Sequence, residues 1–233
     1  FDQNGQRIAR AFVEILREAG VRFGILGAQE PTTGECVRRA GNEMLFQQLA
    51  PTRVESFNGL GTTRIVTCDP HAFNSLRNEY PAFGGHWEVL HHTQLIARLL
   101  AERRIEVQPT HERVLLHDSC YLGRHNGEFD APRAVLGRVT RDALLEFPLH
   151  REKSMCCGAG GARMWMEEHI GTRINVTRVE QGLPQRPNVI ATACPYCSVM
   201  LGDGLKTKNL NETIQTRDVA ELVASAMVRN RAS

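Results

Sequence analysis

The sequence of 233 residues lacks several features that would assign it to a class at once. No apolar run approaches the length needed to cross a bilayer, and no signal-peptide pattern opens the chain. An excess of charge is also missing: the formal net charge is +2, so composition gives no reason to expect nucleic acid or an acidic membrane surface as a partner. Hydrophobic residues make up 42% and charged residues 23%, which is typical of a globular protein with one large or two small domains.

An even number of cysteines is missing too. The chain has seven, two of them adjacent, which suits a disulfide framework poorly and favours metal-bound thiolates in a reducing compartment. Five of them form one constellation, here called the cysteine set: Cys120, Cys156, Cys157, Cys194 and Cys197. Its gaps are 35 residues, none, 36 and two. Thiolates are the ligands that soft or borderline metals and iron–sulfur clusters select.

Strands and helices are predicted to alternate along the chain. The predicted helices cover about 4–19, 36–50, a segment after Pro70, and 93–103, and the predicted strands cover 21–26, 64–67, 87–91, 113–117 and 189–192. Such alternation favours parallel sheets with crossover helices, so the predicted fold class is α/β.

The sequence also resembles itself when it is shifted by 125 residues. The shift lays Asp69 over Cys194, Pro70 over Pro195, His71 over Tyr196, Ala72 over Cys197, and Pro31-Thr32 over Cys156-Cys157. We therefore predict an internal duplication into two pseudo-equivalent lobes, residues 1–108 and 109–233, with the metal site in the second.

The first predicted repeat has non-cysteine residues where the second has ligands. Of these only Asp69 could ligate, and a carboxylate is a poor substitute for a thiolate, so we expect this repeat to have lost its metal site. Cys36 and Cys68 are out of register and are interpreted as incidental thiols. The counterpart of Cys120 would precede residue 1, and the chain begins with Phe1 rather than Met, so we expect a piece of a longer protein.

The cysteine set is predicted to lie where strands end and helices begin. Cys120 and Cys194 follow strands, while Cys156 and Cys157 precede a glycine-rich turn and a predicted long helix to about residue 181. The carboxyl ends of parallel strands collect ligands, and helix N-termini stabilise anionic centres. The glycines would let backbone amides approach sulfur closely.

Several alternatives stay open at this point. Four irons need four protein ligands and so does structural zinc, so the fifth thiolate indicates an unusual cluster or a free thiol. A thioredoxin-like dithiol at Cys194 and Cys197 would leave the adjacent pair without a role. His117 and Arg124 flank Cys120 and are candidates for tuning a cluster.

Other side chains are expected to be structural. The remaining tempting histidines are expected to be satisfied by hydrogen bonds: His71, His91, His92 and His125. Residues 164–166, Met-Trp-Met, are interpreted as core rather than as a wall around a cluster.

The cysteine set resembles the cysteine-rich CCG domain of heterodisulfide reductase and its relatives. The chain is still more similar to the iron–sulfur oxidoreductases linked to electron-transfer flavoprotein. The segments that carry this likeness are 39–43, 78–81, 83–85, 91–94, 117–124 and 156–161.

The resemblance implies that the cysteine set binds a [4Fe-4S] cluster, which in heterodisulfide reductase is non-cubane and uses all five cysteines. It implies an electron-transfer module of a larger cytoplasmic oxidoreductase, with a ferredoxin-like iron–sulfur segment and a membrane anchor upstream. Its partners would be a flavoprotein, further clusters or quinone. Two alternatives are a catalytic disulfide reductase and a zinc-stabilised docking module. The missing cysteines of the first repeat depart from the family pattern and argue against paired clusters.

Overall fold

The computed structural model describes residues 3–229, so the first two and last four residues of the two predicted repeats lie outside it. The helices are α1 (Gln3–Glu18), α2 (Glu35–Arg39), α3 (Glu43–Gly59), α4 (Pro70–Asn74), α5 (His92–Ala101), α6 (Asp130–Val139), α7 (Ile174–Gly182), α8 (Pro195–Thr207) and α9 (Val219–Ala226). The strands are β1 (Arg64–Thr67), β2 (Glu88–His91), β3 (Val114–Leu116), β4 (Leu145–Glu146), β5 (Val189–Thr192) and β6 (Gln215–Asp218).

These strands form two parallel sheets. One pairs β1 with β2, and the other has the order β4-β3-β5-β6. The central strands β3 and β5 pair Val114 with Val189 and are buried along their whole length, as expected for parallel strands covered on both faces. The predicted α/β class is therefore confirmed.

Helices from both halves of the chain share one hydrophobic core. The predicted apolar stripe of α1 is buried, and this helix packs on α9. α5 packs on α6, and the core includes Leu99, Val135 and Leu222. A buried pair also joins the halves, because His92 Nε2 donates to Asp218 Oδ1 over 2.9 Å. Among residues 3–229, no helix combines the length and apolarity that a membrane crossing requires.

Two of the predicted elements in the first half are wrong. The segment 21–26 is not a strand, and Phe23 and Ile25 are 39% and 74% exposed. A strand needs a neighbouring edge for its hydrogen bonds, and the part of the chain that the structure describes places none beside this segment. The helix predicted over 36–50 is two helices, because Gly41 has a φ of +94° and Asn42 caps α3 by accepting from Leu45 N over 3.0 Å.

The long helix predicted after Cys157 is also wrong. Gly161, Ala162 and Gly171 have left-handed φ angles of +65°, +61° and +69°, which a continuous right-handed helix cannot contain. The chain instead forms one 3₁₀ turn, Arg163–Trp165, and a loop. The helix α7 then begins at Ile174, whose backbone N–H donates to Glu168 over 3.2 Å.

Candidate metal centre

Three segments bring the cysteine set to the carboxyl ends of β3 and β5. Cys120 lies in the turns that follow β3, and the adjacent pair Cys156-Cys157 lies in the loop before α7. Cys194 is the N-cap of α8 and Cys197 lies in its first turn, where Pro195 removes an amide that would have no partner. Because β3 and β5 are neighbours in the sheet, residues that follow them meet at one edge.

The five thiols of the cysteine set interact as a chain. Side-chain hydrogen bonds join Cys120 to Cys156, Cys156 to Cys157, Cys157 to Cys197, and Cys197 to Cys194. All seven cysteines are free, so none of these contacts is a disulfide. Cys157, Cys194 and Cys197 are buried, while Cys120 and Cys156 are half-buried. The structure thus brings together every residue of the predicted set.

The two remaining cysteines do not belong to this chain of contacts within residues 3–229. Cys36 is exposed on α2, and Cys68 is half-buried beyond the end of β1. This agrees with their interpretation as incidental thiols.

Two thiols of the set are biased toward the thiolate. Hydrogen bonds from Cys120 and Cys157 lower the pKa of Cys156 well below its usual range, and Gly158 N donates to Cys156 Sγ over 3.3 Å. Burial alone would raise the pKa of Cys194, but hydrogen bonds from Cys197 and His71 lower it to about 5. Thiolate is the form that coordinates metal, so the site is prepared for a cation or a cluster.

His117 lies against the set, with a ring nitrogen within 4.8 Å of the sulfur atoms of Cys157 and Cys197. Burial and the neighbouring Arg178 lower the pKa of His117 to about 3, so the imidazole is neutral. Its Nδ1 accepts from Arg178 Nε over 3.2 Å, which leaves the ring proton on Nε2. A protonated Nε2 cannot ligate, so His117 fits a hydrogen-bonding role better than a ligand role.

A polar network joins the loop around Cys120 to the loop before Cys156. Arg133 forms a bidentate pair with Asp118, at 2.7 and 2.8 Å, and Asp118 also accepts from Arg151 N over 2.7 Å. Ser154 Oγ donates to the Asp118 carbonyl over 3.2 Å, and Arg124 donates to the Ser154 carbonyl. These bonds hold the two loops in one arrangement. Whether Arg124 also tunes a bound centre stays a prediction.

The first half of the chain repeats the local geometry of Cys194 without its sulfur. Asp69 follows β1 and is the N-cap of α4, with Pro70 at the first helical position. Its carboxylate accepts from His71 N over 2.9 Å and from Ala72 N over 3.3 Å. Asp69 therefore serves as a helix cap, which accounts for a carboxylate at this position.

Sequence reasoning missed the role of His71. Its Nδ1 donates to Glu35 Oε1 over 2.7 Å, its ring stacks on Tyr121 with 4.0 Å between centroids, and it hydrogen-bonds to Cys194. Burial would lower the pKa of His71, but the bonds to Cys194 and Glu35 raise it to about 10. The shift of 125 residues lays His71 over Tyr196, which adjoins the cysteines, and this could have indicated its position.

The other structural expectations have mixed outcomes. His91 is bonded to Thr93 Oγ1 over 2.8 Å and His92 to Asp218, as expected of satisfied histidines. The core interpretation of residues 164–166 is wrong for Trp165 and Met166, which are 78% and 50% exposed on the loop. Met164 alone packs against the buried cysteines.

The residues at this centre fit an iron–sulfur cluster or another thiophilic metal. The donor set consists of free thiols on three segments, and a backbone amide already donates to one sulfur. Gly158, with a φ of +91°, permits this approach, since a Cβ there would lie 3.2 Å from Ile174 Cβ. The helix α8 also directs its N-terminus toward the set, which favours negative charge.

A model of the cysteine-rich domain family CCG matches residues 114–202, which contain the whole cysteine set. Residues 114–202 are a CCG cysteine-rich domain. The matched range contains β3, β4 and β5, the three strands around which the candidate centre is built.

Curated proteins similar to the chain include three oxidoreductases or components of them. The probable iron-sulfur-binding oxidoreductase FadF of Bacillus subtilis is 48% identical over 98% of this chain and 32% of its own length. The EtfAB:quinone oxidoreductase of Syntrophomonas wolfei is 42% identical over 97% of the chain and 33% of its length. One subunit of the dihydromethanophenazine:CoB--CoM heterodisulfide reductase of Methanosarcina barkeri is 30% identical over 96% and 56%. The resemblance read from the sequence is confirmed, and the chain spans about a third of the first two relatives.

Proposed function

We propose that this chain is the iron–sulfur electron-transfer module of a larger oxidoreductase. One observation carries the proposal: five free thiols from three separate segments meet at the carboxyl ends of two adjacent strands. Buried thiols without a metal or a disulfide would gain nothing from such a convergence, whereas cluster ligands require it. The names of FadF and EtfAB:quinone oxidoreductase point in the same direction.

The centre would be a [4Fe-4S] cluster held by the cysteine set, in a cubane form with four ligands or a non-cubane form with five. Bound there, such a cluster supplies one-electron transfer. The chain itself contributes the rest. Burial of three of the five cysteines limits water, Gly158 N donates to sulfur, and Arg133 with Asp118 keeps the two loops in register.

The electron partners are proposed from the relatives. Electrons would pass between a flavoprotein, such as an electron-transfer flavoprotein, and further iron–sulfur clusters or quinone, which the name EtfAB:quinone oxidoreductase supports. The free thiols favour a cytoplasmic location. A relative named as a probable membrane-anchored ferredoxin, 37% identical, supports attachment to the membrane through another part of the protein.

We retain the duplication into residues 1–108 and 109–233 as part of this proposal. Its structural support is that Asp69 and Cys194 are both N-caps that follow a parallel strand and precede a proline at the first helical position. The first repeat would serve as a support for the second rather than as a second cluster site.

The first experiment is elemental analysis of anaerobically purified protein, with EPR of oxidised and reduced samples. We expect about four iron and four sulfide per chain and a signal that responds to redox state. Cysteine-to-serine variants of the set should lose iron, while the matched control C36S, an exposed cysteine outside the set, should retain it. Stoichiometric zinc without iron would contradict the proposal and favour a zinc-stabilised docking module.

A second candidate function is disulfide reduction at the centre itself. It is favoured by the partial exposure of Cys120 and Cys156 and by the 30% identity to a component of a heterodisulfide reductase. Addition of an organic disulfide to the reduced protein separates the candidates. A change of the EPR spectrum that depends on the disulfide would support catalysis, and an unchanged spectrum would support a relay.

A further inference from the structure

His71 lies outside the CCG domain, yet its side chain contacts the cysteine set. Its Nδ1 donates to Glu35 Oε1 over 2.7 Å, and its ring also hydrogen-bonds to the thiol of Cys194. Because the carboxylate occupies Nδ1, the contact with sulfur falls to Nε2. The two acceptors therefore lie on opposite sides of one imidazole.

The surroundings of His71 leave its ring little freedom. His71 is 7% exposed and Glu35 is 6% exposed. The ring lies between two tyrosines, stacked on Tyr121 at 4.0 Å and in edge contact with Tyr196 at 5.2 Å. Arg39 Nε bonds to the same Glu35 oxygen over 3.2 Å, which holds the carboxylate in place. An imidazole fixed on this many sides is a directed hydrogen-bond donor.

We propose that His71 is a positioning residue of the metal centre, which donates Nε2–H to the sulfur of Cys194 while Glu35 holds Nδ1–H. The inference rests on the proposed function, because Cys194 is taken as a cluster ligand. When Cys194 binds metal it is a thiolate, and a thiolate and a carboxylate can both be satisfied only by N–H donors.

This hydrogen bond affects the bound centre in a definite direction. A donor to a ligand sulfur stabilises the more negative, reduced state of a cluster and so raises its reduction potential. The half of the chain without the cysteine set would then act on the centre held by the other half. This gives a chemical reason for the presence of His71 at the position equivalent to Tyr196.

The direct test uses the wild-type holoprotein. Electron–nuclear double resonance of the reduced centre, with ¹⁵N-histidine and exchange into D₂O, should detect an exchangeable proton and a weak ¹⁵N coupling from a hydrogen-bonded imidazole. Absence of any weak histidine coupling in the iron-loaded protein would overturn the inference. A strong coupling, as from histidine bound to iron, would overturn it as well.

Variants then assign the signal. H71L should abolish the weak ¹⁵N coupling with its exchangeable proton and lower the midpoint potential, and E35Q should lower the potential by less because the donor remains. The control H125L removes an exposed histidine that stacks on the other side of Tyr121, at 4.4 Å, and should change neither property.

The outcomes separate the two proposals. Wild-type protein without iron would defeat the proposed function. Iron-loaded H71L with an unchanged potential and an unchanged exchangeable coupling would defeat only the role of His71. If H71L fails to take up iron, E35Q and the wild-type coupling decide the question.

Discussion

At the scale of single residues, Arg178 is the most unusual side chain near the centre. It is fully buried, its guanidinium lies 3.6 Å from the centroid of the Phe147 ring, and it donates to His117, Leu149 O, Gln181 and Ser154. Burial lowers its pKa to about 10, so it remains charged at neutral pH. A buried charge without a carboxylate partner is tolerated only because every side of the group has an acceptor or a π face.

We expect R178M to reduce the free energy of unfolding by about 3 kcal/mol or more, since it leaves several buried acceptors without a donor. The measurement is urea denaturation under anaerobic conditions. R163M is the matched control: Arg163 is half-exposed and paired with Glu168, so its loss should cost under about 1 kcal/mol. Equal effects of the two changes would show that the buried network contributes little.

At the scale of elements, the junction of β2 and α5 contains a buried histidine that must stay neutral. His91 is the N-cap of α5, is fully buried, and has His92 beside it at 4.3 Å between ring centroids. Burial and the charge that His92 can carry lower the pKa of His91 well below its ordinary value. Protonation is therefore favoured in the unfolded chain and opposed in the folded one.

This predicts a specific pH dependence. Above about pH 6.5 His91 is neutral in both states, and as the pH falls below that value the unfolded state gains a proton, so stability falls by up to about 1.4 kcal/mol per pH unit. H91Q should make the pH dependence of the unfolding free energy between about pH 6.5 and 5 shallower. H111Q, at an exposed histidine, should leave the slope unchanged. A wild-type slope in H91Q would assign the dependence to other groups.

At the scale of the whole molecule, the two halves are joined by a shared core and by polar contacts. The helices α1 and α5 from the first half pack on α9 and α6 from the second, and the pair His92 and Asp218 is buried at that junction. Yet the candidate centre is built almost wholly from loops of the second half. Loss of its metal should therefore act locally before it acts on the shared core.

We expect removal of the cluster by a chelator and an oxidant to lower the thermal midpoint, because ligand binding to the folded state is lost. Amide hydrogen exchange should accelerate by at least about tenfold in the loop 154–161 and the first turn of α8, whose thiols would repel or swing apart. The helix α3, in the first half, serves as the internal control and should exchange as before. Uniform acceleration across the chain would instead indicate that the centre stabilises the whole fold.

Part of this architecture was predictable because it depends on short-range patterns. The apolar period of α1 and the β-branched runs of β1 and β5 are local properties, and the structure has all three elements. Other elements could not be predicted this way. The segment 21–26 has the composition of a strand without a neighbouring edge, and the loop 158–173 contains helix-forming residues together with backbone angles that exclude a helix.

The sequence by itself determined which thiols are candidates, because ligand type and spacing can be read without coordinates and the cysteine set converges as predicted. Only the tertiary structure decided what surrounds them. Arg178 and His117 are 61 residues apart, and His71 and Cys194 are separated still further in the chain. Such pairs leave no periodic signal, since their contact arises from the pairing of β3 with β5 and from the packing of the first half against α8.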